Sequence, residues 1–228
     1  MGILEILSVQ FLTALGSIII LDIVLAGDNA VVIAMASHRL PENIRKKAIY
    51  IGTVGAIIIR MIMTIVAAWL LTVPYLQALG GLILIPIAAG LLKPVNETMK
   101  ISSLMSFRGA VKTIIIADAA MGVDNVLAVA GAAQGDFILV FLGLMISIPI
   151  VVWGSQIIGS WMNRYPVLVY AGAGILAWTA GTMILHDKII GVMIIGIIGN
   201  QGLYFFPAAV MITIWMFGYI MQKKSKKQ

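Results

Sequence analysis

"LDIVLAGDNAVVIAMAS", residues 21–37, and "ADAAMGVDNVLAVAG", residues 117–131, each place two aspartates and an asparagine inside an otherwise apolar stretch long enough to cross a bilayer. Aligned without gaps, Asp22 matches Asp118, Asp28 matches Asp124, Asn29 matches Asn125 and Ala34 matches Ala130, every pair 96 residues apart. The shared pattern is D-x(5)-D-N-x(4)-A. Three polar residues recurring at fixed spacing within two apolar blocks mark an internal repeat.

The surrounding chain has 228 residues, 61% of them hydrophobic and 11% charged, with a mean hydropathy of +1.09. Soluble domains carry roughly 25% charged residues, so this chain lacks the polar surface of one. Its apolar blocks match the length of about 20 residues that an α-helix needs to cross hydrocarbon, without the alternation of β-barrel strands. The fold class read from this is an all-α polytopic membrane protein. "MGILEILSVQ" has no basic n-region, and no cleavable signal peptide is expected. With no cysteine, disulfides and thiolate metal sites are excluded.

About seven spans are expected, at approximately 9–36, 48–71, 75–92, 111–133, 137–159, 167–185 and 202–221. The apolar stretch 188–200 is too short to cross alone, and reads as an interfacial or re-entrant piece or an extension of the last span. Of 15 basic residues, 13 fall in alternate loops and the tail, on one side of this arrangement. The positive-inside rule makes that side cytoplasmic, with the N-terminus outside. The same distribution explains the net charge of +6 without nucleic acid; the tail "KKSKKQ" suits anionic lipid. The whole chain, 1–228, reads as one transmembrane domain. Repeat 1 covers about 9–92, repeat 2 about 111–185, and an additional C-terminal segment about 188–221. Three spans per repeat is an odd number, so the second copy enters from the opposite side. That 3+3 inverted repeat is an architecture of secondary transporters, with sites at the repeat interface.

Each aspartate at mid-membrane costs at least about 2.5–3.5 kcal/mol, so four must be offset by protons, basic partners or a bound cation. The only basic residue deep in a span is Arg60, a candidate for charge balancing or gating. By this count it neutralises one carboxylate and leaves three. Carboxylate and amide oxygens suit Mg²⁺, Ca²⁺ or Mn²⁺. The candidate metal ligands are Asp22, Asp28, Asn29, Asp118, Asp124 and Asn125. Six residues turn an ideal helix by about 240° net, so the two acids of each copy face apart unless the helix unwinds. Gly27 and Gly122 are expected to permit that. Met35 and Met121 read as packing residues, and Asp136 and Asp187 as solvated residues of outer loops.

"LDIVLAGDNAVVIA", "IIIADAAMGVDNVLAVAGAA" and "LGLMISIPIVVWGS" resemble the TerC family of integral membrane proteins, and within it the YjbE/YkoY-type branch, over most of residues 10–185. That resemblance implies Mn²⁺ export from the cytoplasm across the plasma membrane. It maps the family's motif acids and amides onto the six residues named above. No prosthetic group is expected; Mn²⁺ is the expected transported ion, with Ca²⁺ or Mg²⁺ as alternatives. No P-loop is present, so a gradient would supply energy, and H⁺ is a candidate coupling ion because carboxylates lose protons to bind metal. The chain is expected not to be an enzyme. Two rival readings are an intramembrane aspartyl-type enzyme built on a carboxylate dyad, and a membrane factor that aids metalation of secreted proteins.

Overall fold

The computed structural model describes residues 8–25, 27–70, 72–93, 107–133, 136–199 and 201–225, with the side chains of Ala68, Asp124, Leu127, Lys224 and Ser225 outside that set. Among the described residues there are ten helices and no strand. In chain order they are α1 (Val9–Leu25), α2 (Gly27–Ser37), α3 (Glu42–Ile65), α4 (Ala67–Leu70) and α5 (Leu76–Leu91). Then follow α6 (Phe107–Ala133), α7 (Phe137–Arg164), α8 (Val167–His186), α9 (Ile190–Ile198) and α10 (Gly202–Ser225). By length and composition α3, α7, α8 and α10 can each cross a membrane, and the α1–α2 pair, bent by 48°, makes a fifth. The seven expected spans coincide with α1–α2, α3 with α4, α5, α6, α7, α8 and α10. Two of these fall outside the five. Helix α5 has 16 residues, about 24 Å at about 1.5 Å each, and α6 carries the second set of motif acids.

Helix ends follow local chemistry. Helix α7 starts behind Asp136, whose carboxylate accepts the N–H groups of Ile138 at 2.8 Å and Leu139 at 3.3 Å, an ordinary N-cap. Asp187 accepts from Ile189 and Ile190, both at 3.0 Å, at the start of α9. Its other oxygen accepts the N–H of Ala78 in the first turn of α5 at 3.3 Å. It is 4% exposed. The expectation that Asp136 and Asp187 are both solvated is corrected for Asp187, which is buried, whereas Asp136 stays partly exposed; each also satisfies helix N–H groups that have no partner within their own helix. Within the 188–200 stretch, nine residues form α9, which ends at Gly199 with φ 78°, a positive φ that glycine adopts freely. The stretch does not extend α10.

Exchanging the two halves (α1–α2 with α6, α3 with α7, α5 with α8) maps most of the packed helix pairs onto one another, the α7–α8 contact having no α3–α5 counterpart of similar extent. Helix α3 lies against α6 as α7 lies against α1 and α2, and α5 meets α6 as α8 meets α2. Helix α10 packs on α8, outside this arrangement. Helix ends agree with alternating passage. Arg39, after α2, donates to the Leu91 carbonyl at the end of α5, 3.1 Å away, while Asp187, after α8, ties down the start of α5.

Helix α5, from the first half, packs on α6 and α8 of the second through two glycines. A Cβ on Gly80 would stand 2.9 Å from the Ala120 carbonyl oxygen of α6, and one on Gly81 2.5 Å from that of Ala180 on α8. Small residues let helix backbones approach closely where packing alone must hold them together. The largest buried cluster surrounds this seam, with Met35, Leu84, Met121, Leu176 and Met183 among its members; Met35 and Met121 are packing residues, as expected. The outward face carries exposed Ile20, Val24, Ile62, Leu82, Ile146 and Trp153, the surface of a helix bundle facing hydrocarbon.

Candidate cation site

Asp22 on α1 and Asp118 on α6 meet across the guanidinium of Arg60 on α3. Arg60 Nη1 donates to Asp22 Oδ1 and Nη2 to Asp118 Oδ1, each at 2.5 Å. Asp22, Asp118 and Arg60 are all buried, at 3%, 7% and 5% exposure. The second Asp22 oxygen accepts the Ser147 hydroxyl of α7. Taken as ionised, the cluster carries a formal charge of −1. Arg60 thus contacts one acid from each motif copy, not the single carboxylate that counting charges suggested, because its two terminal nitrogens point in different directions.

A cavity of about 30 Å³ lies beside this cluster, lined by Asp22, Asn29, Thr53, Arg60, Asp118 and Ser147 together with apolar side chains. That volume is enough for a bare cation or about two waters. Asn29 is 2% exposed, and neither its amide oxygen nor its nitrogen has a partner among the described residues; nor do Thr53 Oγ1 and Arg60 Nε. Buried polar atoms are nearly always paired. Four orphaned ones on residues lining one cavity give its otherwise largely apolar wall unsatisfied oxygen and nitrogen atoms.

Helical spacing accounts for part of the selection. Thr53 precedes Arg60 by seven residues on α3, a step that brings an α-helix back to within about 20° of the same face; Asn29 follows Asp22 by seven, but across the 48° bend between α1 and α2. Asn125 stands in the same relation to Asp118; it is buried, at 7% exposure, but does not line the cavity. Asp28 is half-buried in the first turn of α2. Its carboxylate accepts the N–H of Asn29 at 2.9 Å, in a position the helix dipole favours for an anion. It too is off the cavity wall. The Asp124 side chain lies outside the described residues. The structure therefore gathers Asp22, Asn29 and Asp118, with Arg60, and leaves Asp28 and Asn125 aside. Among the described residues no group of three or more His, Asp or Glu converges.

Of the expected pair of unwound segments, the second is absent: α6 runs unbroken through Gly122. In the first copy α1 and α2 are bent by 48° about residue 26, which lies outside the described residues. In the first copy the glycine directly precedes Asp28; in the second, Val123 intervenes. One mid-helix glycine costs only about 1 kcal/mol, too little to interrupt a 27-residue helix. Sequence reading also passed over Ser147 and Thr53. Their signal was a lone hydroxyl inside an apolar span, a pattern too common to single out without knowing which face it shares.

A family model described as "Integral membrane protein TerC family" matches residues 7–228, and the chain belongs to that family. It is 45% identical to the membrane protein YjbE of Bacillus subtilis over 179 residues, covering 78% of this chain and 82% of that one. It is 29% identical to YkoY of the same organism over 186 residues, covering 73% and 57% of the two chains. The inner membrane protein YgdQ of Escherichia coli is 26% identical over 195 residues, 76% and 81% of the two. No solved structure matches the chain.

Proposed function

We propose that this chain is a divalent-cation exporter, with Mn²⁺ as preferred substrate, carrying the ion from the cytoplasm by alternating access between its two halves. The observation that carries this reading is the meeting of Asp22 and Asp118, the first acids of the two motif copies, at one buried cavity with the unpartnered Asn29 amide. Hard oxygen donors of that kind suit Mn²⁺, Mg²⁺ or Ca²⁺. The packing pattern, largely preserved when the halves are exchanged, supports an inverted 3+3 repeat with the ion at its interface.

In this reading Asp22, Asp118 and Asn29 hold the ion at the cavity, and Asp28, Asp124 and Asn125 serve the same ion at another point of its passage. H⁺ is the coupling ion, since carboxylates exchange protons for metal. The protein sits in the cell membrane with its N-terminus outside and its C-terminus in the cytoplasm, as the basic loops require. It is a carrier rather than an enzyme. An aspartyl dyad shares one proton between adjacent carboxylates, whereas here a guanidinium stands between them.

The test is Mn²⁺ flux into vesicles reconstituted with purified protein. Asp22→Asn and Asp118→Asn, each shown to fold by its melting curve, are expected to lower flux by about tenfold or more, the equivalent of about 1.4 kcal/mol. Asp28→Asn and Asp124→Asn test the other two acids in the same assay. Undiminished flux in the first two variants would overturn the site. Absence of flux in wild type, with Mn²⁺ binding intact, would favour a factor that hands metal to secreted proteins.

A further inference from the structure

We infer that Arg60 is a tethered occupant of the cation site, neutralising Asp22 and Asp118 between transport events and yielding only to a divalent ion. This rests on the reading of the cavity as a cation site, and adds to it the residue that sets valence selectivity. The guanidinium fills the space between the two carboxylates that a cation serving both would need, with Nη1 2.5 Å from Asp22 and Nη2 2.5 Å from Asp118. Among the described residues those two acids are what holds it, and its Nε has no partner.

Charge counting makes the exchange selective. With Arg60 engaged, the cluster is −1; with the guanidinium withdrawn, Asp22 and Asp118 leave −2. A divalent ion entering there brings the acids to zero. A monovalent ion would leave −1, no better than before; either ion displaces the guanidinium from both its ion pairs, and only the second charge of a divalent ion offsets that loss. Withdrawal has a direction open to it. Side chains on a helix lean toward its N-terminus, and two turns that way on the same face Thr53 offers a buried hydroxyl with no partner. The Asn29 amide oxygen remains free to join the ion.

An internal competitor lowers the apparent affinity for the ion, because only the fraction of molecules with Arg60 withdrawn can bind. Calorimetric Mn²⁺ titration of the purified full chain, at about pH 8 to keep the acids ionised, tests this. Arg60→Gln is expected to bind Mn²⁺ about tenfold more tightly than wild type, and to become sensitive to excess Na⁺ where wild type is not. Arg60→Lys provides the second arm should the glutamine variant fail to fold. Lysine keeps the charge but lacks the planar fork that reaches both acids, so its Mn²⁺ affinity should rise by about threefold or more. Unchanged or weaker Mn²⁺ binding in a folded Arg60 variant, beside a wild type that binds, overturns the tether and leaves the cation site standing. Absence of Mn²⁺ binding in wild type and both variants overturns the cation site itself.

Discussion

Asp22 and Asp118, 96 positions apart in sequence, stand on opposite sides of one guanidinium, each 2.5 Å from a different nitrogen of Arg60. The geometry makes the three residues a unit, so removing one member damages the others. Asp118→Ala leaves the buried Arg60 with a single partner. Arg60 keeps Asp22, so the loss should stay below the about 3–5 kcal/mol of a buried pair broken outright, and the variant should melt moderately below wild type in detergent. Arg60→Met in the same background should deepen the loss, because Asp22, buried at 3% exposure, is then left without its cation.

Asn29 separates a ligand from a packing residue. A buried amide without partners lowers stability by about 1–3 kcal/mol, so Asn29→Leu should raise the melting temperature. As a donor to the ion, however, its loss should weaken Mn²⁺ binding by about tenfold. A variant that is more stable and binds as well as wild type would remove Asn29 from the site.

Ser147 anchors the far oxygen of Asp22. Ser147→Ala deletes a hydrogen bond to a charged group, worth about 1.5–3 kcal/mol, and should lower the melting temperature by that equivalent. Ser147→Thr keeps the hydroxyl and should retain more of the stability. Thermal melts of both variants decide it.

Asp187 gives the pH dependence. Burial works against ionisation of this carboxyl, but the N–H groups of Ile190, Ile189 and Ala78 outweigh it and hold it below the ordinary carboxylate range. A folded-state pKa below the unfolded value means the stabilisation is fully present above about pH 4 to 5 and is lost as pH falls through the folded value. Asp187→Asn should therefore lower the melting temperature at neutral pH, and its gap from wild type should close as the buffer is taken toward about pH 3.

The glycine seam is tested by volume. Gly81→Val places methyl groups against the Ala180 carbonyl and has no low-energy accommodation, with a cost of about 1–3 kcal/mol expected for overpacking. Gly80→Val pushes instead on Ala120, next but one to Asp118, and should add a loss of Mn²⁺ affinity to a similar loss of stability.

Helix positions were legible because apolar blocks of span length leave few alternatives, and all seven expected spans have a helical counterpart. The duplicated acids pointed to Asp22 and Asp118 for the same reason: a buried charge must be accounted for. What the sequence could not convey was rotation about each helix axis. Whether Asp28 or Asn29 faces inward depends on the bend beside Gly27, and that bend occurs in one copy only. Asp187 looked like a loop residue because the helix it ties down, α5, lies in the other half of the chain.

The two halves of the bundle match in packing but not in charge. Helix α3 brings Arg60 to the cavity, whereas α7, its counterpart under the exchange of halves, brings neutral Ser147 and carries no basic residue before Arg164 at its end. A carrier whose halves were chemically alike would favour neither direction of opening at rest. With its cavity guanidinium rooted in one half, the proposed carrier would have a built-in bias: its inward-open and outward-open forms would differ in energy before any ion or gradient acted on them.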